Sequence, residues 1–201
     1  MGLTMKRNNQ QRGAYSYQKG ARFERECAEI FSQWAGCDCR RTPRSGAYGS
    51  EGWGWLAGDL MFKVAELDQV PCHQCQQTRA CDLNHVPFYI ELKRREGWTW
   101  AATLAGKGPV IDWWAKCRAE AETLDQYPLL VFKRNRGPIW VAVRFASDFG
   151  SGALTPLLPV TYISGAEDHD LCILRLDRLL SELSIADAAR IAKDEITGGK
   201  A

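Results

Sequence analysis

The stretch Val86–Trp98, VPFYIELKRREGW, constrains the fold more than any other part of the chain. Side chains on a β-strand alternate between two faces. Phe88, Ile90 and Leu92 therefore share one face, and Tyr89, Glu91 and Lys93 share the other. The first set demands a covered sheet. The second puts a carboxylate and an ammonium two residues apart on one face. Alone, such a pair reads as a surface ion pair worth about 0–1 kcal/mol. Its meaning depends on what else the chain brings to that face.

Apolar spacing organises the rest. Phe23, Cys27, Ile30, Phe31 and Trp34 form one stripe and predict a helix from about Tyr17 to Trp34. A strand follows near Cys37–Thr42, then a long Gly-, Ser-, Arg- and Trp-rich loop. GDLMFKVAEL predicts a second strand, with Leu60, Phe62 and Val64 on one face, and the Val86–Lys93 strand is the third. Residues 97–110 read as loop. Val110, Trp114, Cys117, Ala121 and Leu124 then predict a helix to about Gln126. YPLLVFKRN and IWVAVRF flank Arg136-Gly137-Pro138 and predict a hairpin. Another strand is expected near 159–164, and the end of the chain reads as a short strand and helices, with Ser184 and Asp187 marking a helix start.

The fold class expected is α/β: a central mixed sheet flanked by helices, with a cysteine-rich insertion and an α-rich C-terminal tail. Its parts are a flexible basic N-terminus (1–14), a core (15–145, with the insertion at 68–87) and an extension (146–201). A length of 201 residues suits one domain with appendages. Net charge is only +2, so charge alone announces no partner. Its distribution does: residues 1–25 carry Lys6, Arg7, Arg12, Lys19, Arg22 and Arg25 against Glu24 alone. Arg40, Arg41 and Arg44 follow, then Lys93, Arg94 and Arg95. Residues 163–201 are acidic on balance. A basic front half fits a polyanion partner on one side of the molecule.

Two acids, Asp59 and Glu91, fall near the ends of adjacent predicted strands. Converging carboxylates are the hard oxygen ligands that Mg²⁺ prefers, and the backbone carbonyl of Leu92 could add a third. A metal so held activates water and polarises a phosphodiester. Lys93 could orient the attacking water and stabilise charge on phosphorus. Glu24, at the edge of the first helix stripe, could support the same point, or be a surface glutamate.

With these residues in place, residues 19–63 and 86–145 resemble the PD-(D/E)xK nuclease superfamily, and within it the archaeal-type Holliday-junction resolvases and their phage relatives. The matching segments are KGARFERE (Lys19–Glu26), RRTPRSG (Arg40–Gly46), GDLMF (Gly58–Phe62) and IELK (Ile90–Lys93). The resemblance implies that the α/β fold is a restriction-endonuclease-like core, and it implies catalytic roles for Glu24, Asp59, Glu91 and Lys93. It also implies DNA contact by Arg25, by Arg41 or Arg44, and by Ser45, with Ser50 an alternative for the last. Lys19, Arg94 and Arg95 join that basic surface. Family members are Mg²⁺- (or Mn²⁺-) dependent homodimers that cut paired strands of four-way junctions, here in the cytoplasm of a bacterial or phage-infected cell. No signal-peptide core or membrane-length apolar run contradicts that location. Gly58 departs from the family, standing where its name has Pro. Alternatives are a nuclease of the same fold acting on linear or end-processed duplex, and a non-catalytic zinc-bearing DNA-binding protein.

PCHQCQQTRACDLNH places Cys72, Cys75, Cys81 and His85 as C-x₂-C-x₅-C-x₃-H, with His73 between the first two. Three thiolates and an imidazole make a closed tetrahedral zinc set. His73 is the alternative fourth ligand, Cys37 and Cys39 are alternative thiolates, and Arg79 could reach DNA. Cys27 and Cys117 fall on apolar faces and read as core. Trp53, Trp55, Trp98 and Trp100 flank the site on loops. They either pack those loops or stack on unpaired bases.

Overall fold

A computed structural model of the chain describes residues 2–42, 58–62, 88–144, 161–163, 171–185 and 187–188, with the backbone course alone for 2–16 and 161–163. The elements are α1 (Gly2–Ala35), β1 (Cys39–Arg41), β2 (Leu60–Phe62), β3 (Phe88–Arg94), α2 (Trp100–Leu104), α3 (Pro109–Thr123), β4 (Tyr127–Lys133), β5 (Trp140–Arg144), β6 (Thr161–Ile163), β7 (Leu171–Arg175) and α4 (Leu176–Glu182).

Helix α1 begins at Gly2, well before the start near Tyr17 that the apolar stripe predicts. The stripe marks only the part that packs on the sheet. The polar segment before it holds no proline, and its Leu, Met, Lys, Arg, Gln and Ala residues are good helix formers that outnumber Gly13 and the pair Asn8-Asn9. Phe23, Cys27 and Phe31 are buried, and Phe31 meets Trp34 edge-on at 5.9 Å. Gly36 ends the helix at φ +66°, a left-handed turn with open space around it.

Five strands form one mixed sheet in the order β3-β4-β5-β7-β6. β3 and β4 are parallel, in register from Phe88 opposite Tyr127 to Arg94 opposite Lys133. The other neighbours are antiparallel. β1 and β2 make a separate antiparallel ribbon, with Arg41 opposite Leu60. It joins the edge of β3 through Asp59, whose N–H donates to Ile90 O at 2.7 Å while Thr42 N–H donates to Asp59 O at 3.0 Å.

Helices cover both faces of the sheet. Ile90, Val131 and Val141 lie with α1 and α4, and Tyr89, Leu130 and Phe132 with α3. Each such apolar side chain contributes about 1.5–3 kcal/mol on burial. Tyr89 is thus buried, although its alternation with Glu91 and Lys93 suggests a polar face. A strand paired in parallel and covered on both sides has no solvent face along most of its length.

Two further features differ from the sequence-based expectation. Residues 97–110, expected as loop, include α2. Thr99 caps it by accepting a hydrogen bond from Ala102 N–H at 3.2 Å. The strands expected near 159–164 and at the end of the chain are present as β6 and β7, but they extend the main sheet rather than belonging to an α-rich tail. The apolar run LCILRL places β7 between β5 and β6, with Leu171 and Ile173 fully buried. Trp34 Nε1 then donates to Leu183 O at 2.7 Å and ties α1 to the segment after α4. Trp98 and Trp100 pack rather than stand free: Trp98 meets Phe132 at 5.2 Å and Trp100 meets Trp140 at 4.9 Å. Trp53 and Trp55 lie outside the described residues.

Candidate active site

Asp59 stands one residue before β2 and is buried against β3. Its backbone pairs with Ile90, and its side-chain Oδ2 accepts Leu92 N–H at 2.7 Å. The carboxylate is thereby fixed beside the residue between Glu91 and Lys93. Gly58 permits this approach. Its φ is +83°, and a Cβ there would lie 2.8 Å from Ile90 O. Proline is confined to φ near −65°, so the departure from the family's Pro has a steric cause here.

Glu91 and Lys93 share the α3-facing side of β3, and Lys93 Nζ is paired with Glu91 Oε1. Burial raises the Glu91 pKa above the ordinary carboxylate value; the Asp59 charge adds to this and Lys93 opposes it. Glu24 is raised in the same way, first by burial and then by Asp59, against Arg41 and Arg25. Asp59 is thus the common neighbour of two acids from different elements. Three acids crowded in a partly buried space resist ionising together.

Arg41, expected from the resemblance as a DNA contact, is the ion-pair partner of Glu24, with its guanidinium 5.9 Å from the Tyr17 ring centroid. Arg25 and Arg95 are exposed. Arg94 Nε donates to Asn135 Oδ1 at 3.3 Å, and Lys19 lies 4.0 Å from Glu96. Arg44, Ser45 and Ser50 fall outside the described residues, as do Cys72, His73, Cys75, Arg79, Cys81 and His85. Cys27, Cys37, Cys39 and Cys117 are buried, and none of the four is in a disulfide. Burial pushes the Cys39 thiol up to about 12.

Two contacts are absent from the sequence-based set. Tyr89 donates its hydroxyl to Glu120 Oε2 on α3, and Glu120 adds to the upward pressure on Glu91. The signal was present: Glu120 borders the Cys117–Ala121 stripe as Glu24 borders its own. Lys133 Nζ, at the end of β4, donates to Glu26 Oε1 at 2.8 Å and lies 5.4 Å from the Phe23 ring centroid, pinning α1 to the sheet two residues from Glu24.

Among the described residues, no group of three or more His, Cys, Asp or Glu side chains is arranged to hold a metal ion. The donor chemistry nevertheless fits Mg²⁺. Asp59 and Glu91 offer carboxylate oxygens whose mutual repulsion a divalent cation would relieve. Mg²⁺ typically takes one or two carboxylates and completes its shell with water and substrate phosphate.

Among the described residues, no helix is long and apolar enough to cross a membrane. Protein D14 of Escherichia phage T5 is 27% identical over 134 residues, which cover 66% of this chain and 72% of that protein. No solved structure matches the chain. The sequence pattern of the family described as "Phage putative PDDEXK endonuclease" matches residues 15–188, a span that runs from α1 through α4 and includes every acid of the site. With that match, and with Asp59, Glu91 and Lys93 set together at the junction of β2 and β3, the chain belongs to the phage PD-(D/E)xK endonuclease family.

Proposed function

We propose that the chain is a divalent-cation-dependent, structure-selective endodeoxyribonuclease that resolves four-way DNA junctions as a homodimer. The observation that carries this is the docking of Asp59 on the Leu92 amide, with Glu91 and Lys93 on either side of that residue and Glu24 in electrostatic reach. Family membership supports DNA hydrolysis. The junction preference rests on the resemblance of KGARFERE, RRTPRSG, GDLMF and IELK to the resolvases. A two-fold dimer suits paired cuts because it presents two equivalent sites.

Asp59 and Glu91, with the Leu92 carbonyl, are the residues that would hold Mg²⁺ or Mn²⁺. Such an ion, when bound, lowers the pKa of water and polarises the phosphodiester. Lys93 orients the attacking oxygen and offsets the charge that grows on phosphorus. Glu91 aims that ammonium through their ion pair. Glu24, steadied by Arg41, accepts a hydrogen bond from the attacking water. Lys19, Arg25, Arg94 and Arg95, with Arg44 and Ser45, bind backbone phosphates, which position the duplex without reading its sequence. By their spacing in the sequence, Cys72, Cys75, Cys81 and His85 would hold a structural zinc, which would contribute folding energy rather than catalysis.

Cleavage of a synthetic four-way junction with Mg²⁺, beside a linear duplex of the same sequence, tests this. Paired symmetric nicks confined to the junction are expected. Equal cutting of both substrates would discard junction selectivity and keep the nuclease. Binding without cutting would favour a zinc-bearing DNA-binding protein.

A further inference from the structure

Where α1, the end of β3 and the start of α3 meet, the surface opens into a groove of about 380 Å³ lined by Lys19, Arg94, Arg95, Glu96, Gly97, Pro109 and Trp113. The volume falls in the roughly 300–1,000 Å³ range of small-ligand sites. Its lining is unusual for a surface depression: three cations and one carboxylate beside an indole. The carboxylate is already engaged, since Glu96 Oε1 accepts Asn135 N–H at 2.5 Å and lies 4.0 Å from Lys19. Arg95 is exposed and Trp113 half-buried. Trp113 packs partly against the core beneath α3 and is the aromatic ring in the groove's lining.

The position is as informative as the lining. Arg94 follows Lys93 directly on β3, so the groove begins one residue beyond the proposed catalytic strand face. Phosphates are bound by cations, and a base leaving its stack seeks a flat apolar surface. The groove offers both, in a space for one nucleotide.

We propose that this groove holds one unpaired nucleotide of the DNA substrate beside the cleavage site, its flanking phosphates on Lys19, Arg94 and Arg95 and its base against Trp113. The proposal rests on the nuclease reading above and names the substrate feature that the site selects: a nucleotide freed from pairing at a branch or a frayed end. A continuous duplex supplies the phosphates but no free base, so it gains only part of the interaction.

The test uses the full chain carrying Glu91→Gln, with 2-aminopurine placed either unpaired at a branch or fully paired in a duplex. Adding protein should quench the unpaired fluorophore and leave the paired one nearly unchanged. Trp113→Ala should abolish the quenching and weaken branched DNA binding by about tenfold or more, and Trp113→Phe should restore much of both. Because Trp113→Ala also removes packing, Arg95→Ala at an exposed position gives a second readout: a larger loss for branched DNA than for duplex. Absence of quenching, quenching that persists in Trp113→Ala, or equal losses for both DNAs would overturn the proposal. A parallel cleavage assay on the unmodified chain separates the failures. DNA cutting without quenching sinks the groove alone; neither cutting nor DNA binding sinks the nuclease reading as well.

Discussion

The Oδ2 of Asp59 accepts the amide N–H of Leu92 at 2.7 Å, so the first acid of the site is bonded to the backbone between the second acid and the lysine. Together with the Asp59 N–H on Ile90 O, this bond fixes the Asp59 carboxylate against the strand that carries Glu91 and Lys93. Asp59→Asn keeps an acceptor there and loses the charge. It should fold with a melting temperature close to the parent's and lose more cleavage than the roughly 10–100-fold that removing an outer-shell metal partner costs. Asp59→Ala removes the acceptor as well, leaves a buried N–H unpaired and should cost about 1–3 kcal/mol. Thermal unfolding and cleavage rates of the two variants separate these effects.

Gly58 and Gly36 both adopt positive φ, but only Gly58 has a backbone against it. Gly36→Ala should cost about 1 kcal/mol, the left-handed penalty alone. Gly58→Ala adds a clash with Ile90 O, should cost about 1–3 kcal/mol more in strain, and should displace Asp59. Chemical denaturation ranks the two, and activity should fall only for Gly58→Ala.

Burial and the Asp59 charge raise the Glu91 pKa in the folded protein. A carboxyl raised this way binds its proton more tightly folded than unfolded. Its favourable contribution is full below the ordinary value of 4.5 and is lost as pH rises through the folded value. Glu91→Gln mimics the protonated form. Without divalent cations it should match the parent near pH 4 and unfold at a higher temperature at pH 7.5, while cleavage is lost. A gain in stability with a loss of activity is the mark of a site strained for function.

How much was legible in the sequence follows from these elements. β3 was readable because its alternation is local, and α3 because its stripe is. Glu91 and Lys93 stand out on the β3 alternation, Glu24 at the edge of the α1 stripe and Asp59 in GDLMF before β2. The burial of Tyr89 was not legible: alternation tells which residues share a face, but not whether a helix covers that face. The Glu24–Arg41 ion pair was not legible, because its two members are distant in the chain and no local pattern announces the pair. The role of β7 was hidden for the same reason. LCILRL reads as a short strand, but its place between β5 and β6 is a long-range pairing.

That placement carries its own prediction. β7 bonds to strands on both sides and buries Leu171, Ile173 and Leu174. A chain ending at residue 170 should therefore fail to fold cooperatively, as seen by loss of a sharp thermal transition in circular dichroism. A truncated chain with a native-like transition would show the end of the chain to be an appendage.

The Lys133–Glu26 pair joins β4 to α1. Lys133 is buried and Glu26 is partly exposed, so solvent screening reduces the pair's worth. Glu26→Ala leaves the lysine buried without its partner and should cost about 1–2 kcal/mol. Since α1 also carries Glu24, cleavage should fall beyond what the stability loss explains. Rates measured well below the unfolding temperature check this.

The most direct measurement is Mg²⁺-dependent cleavage of branched DNA by the unaltered chain, by Asp59→Asn and by Glu91→Gln, with DNA binding followed in the same samples. Cleavage by the unaltered chain alone, abolished by a chelator, with binding retained in both variants, is the predicted result. Undiminished cleavage by either variant would contradict the assignment of Asp59 and Glu91 to the reaction.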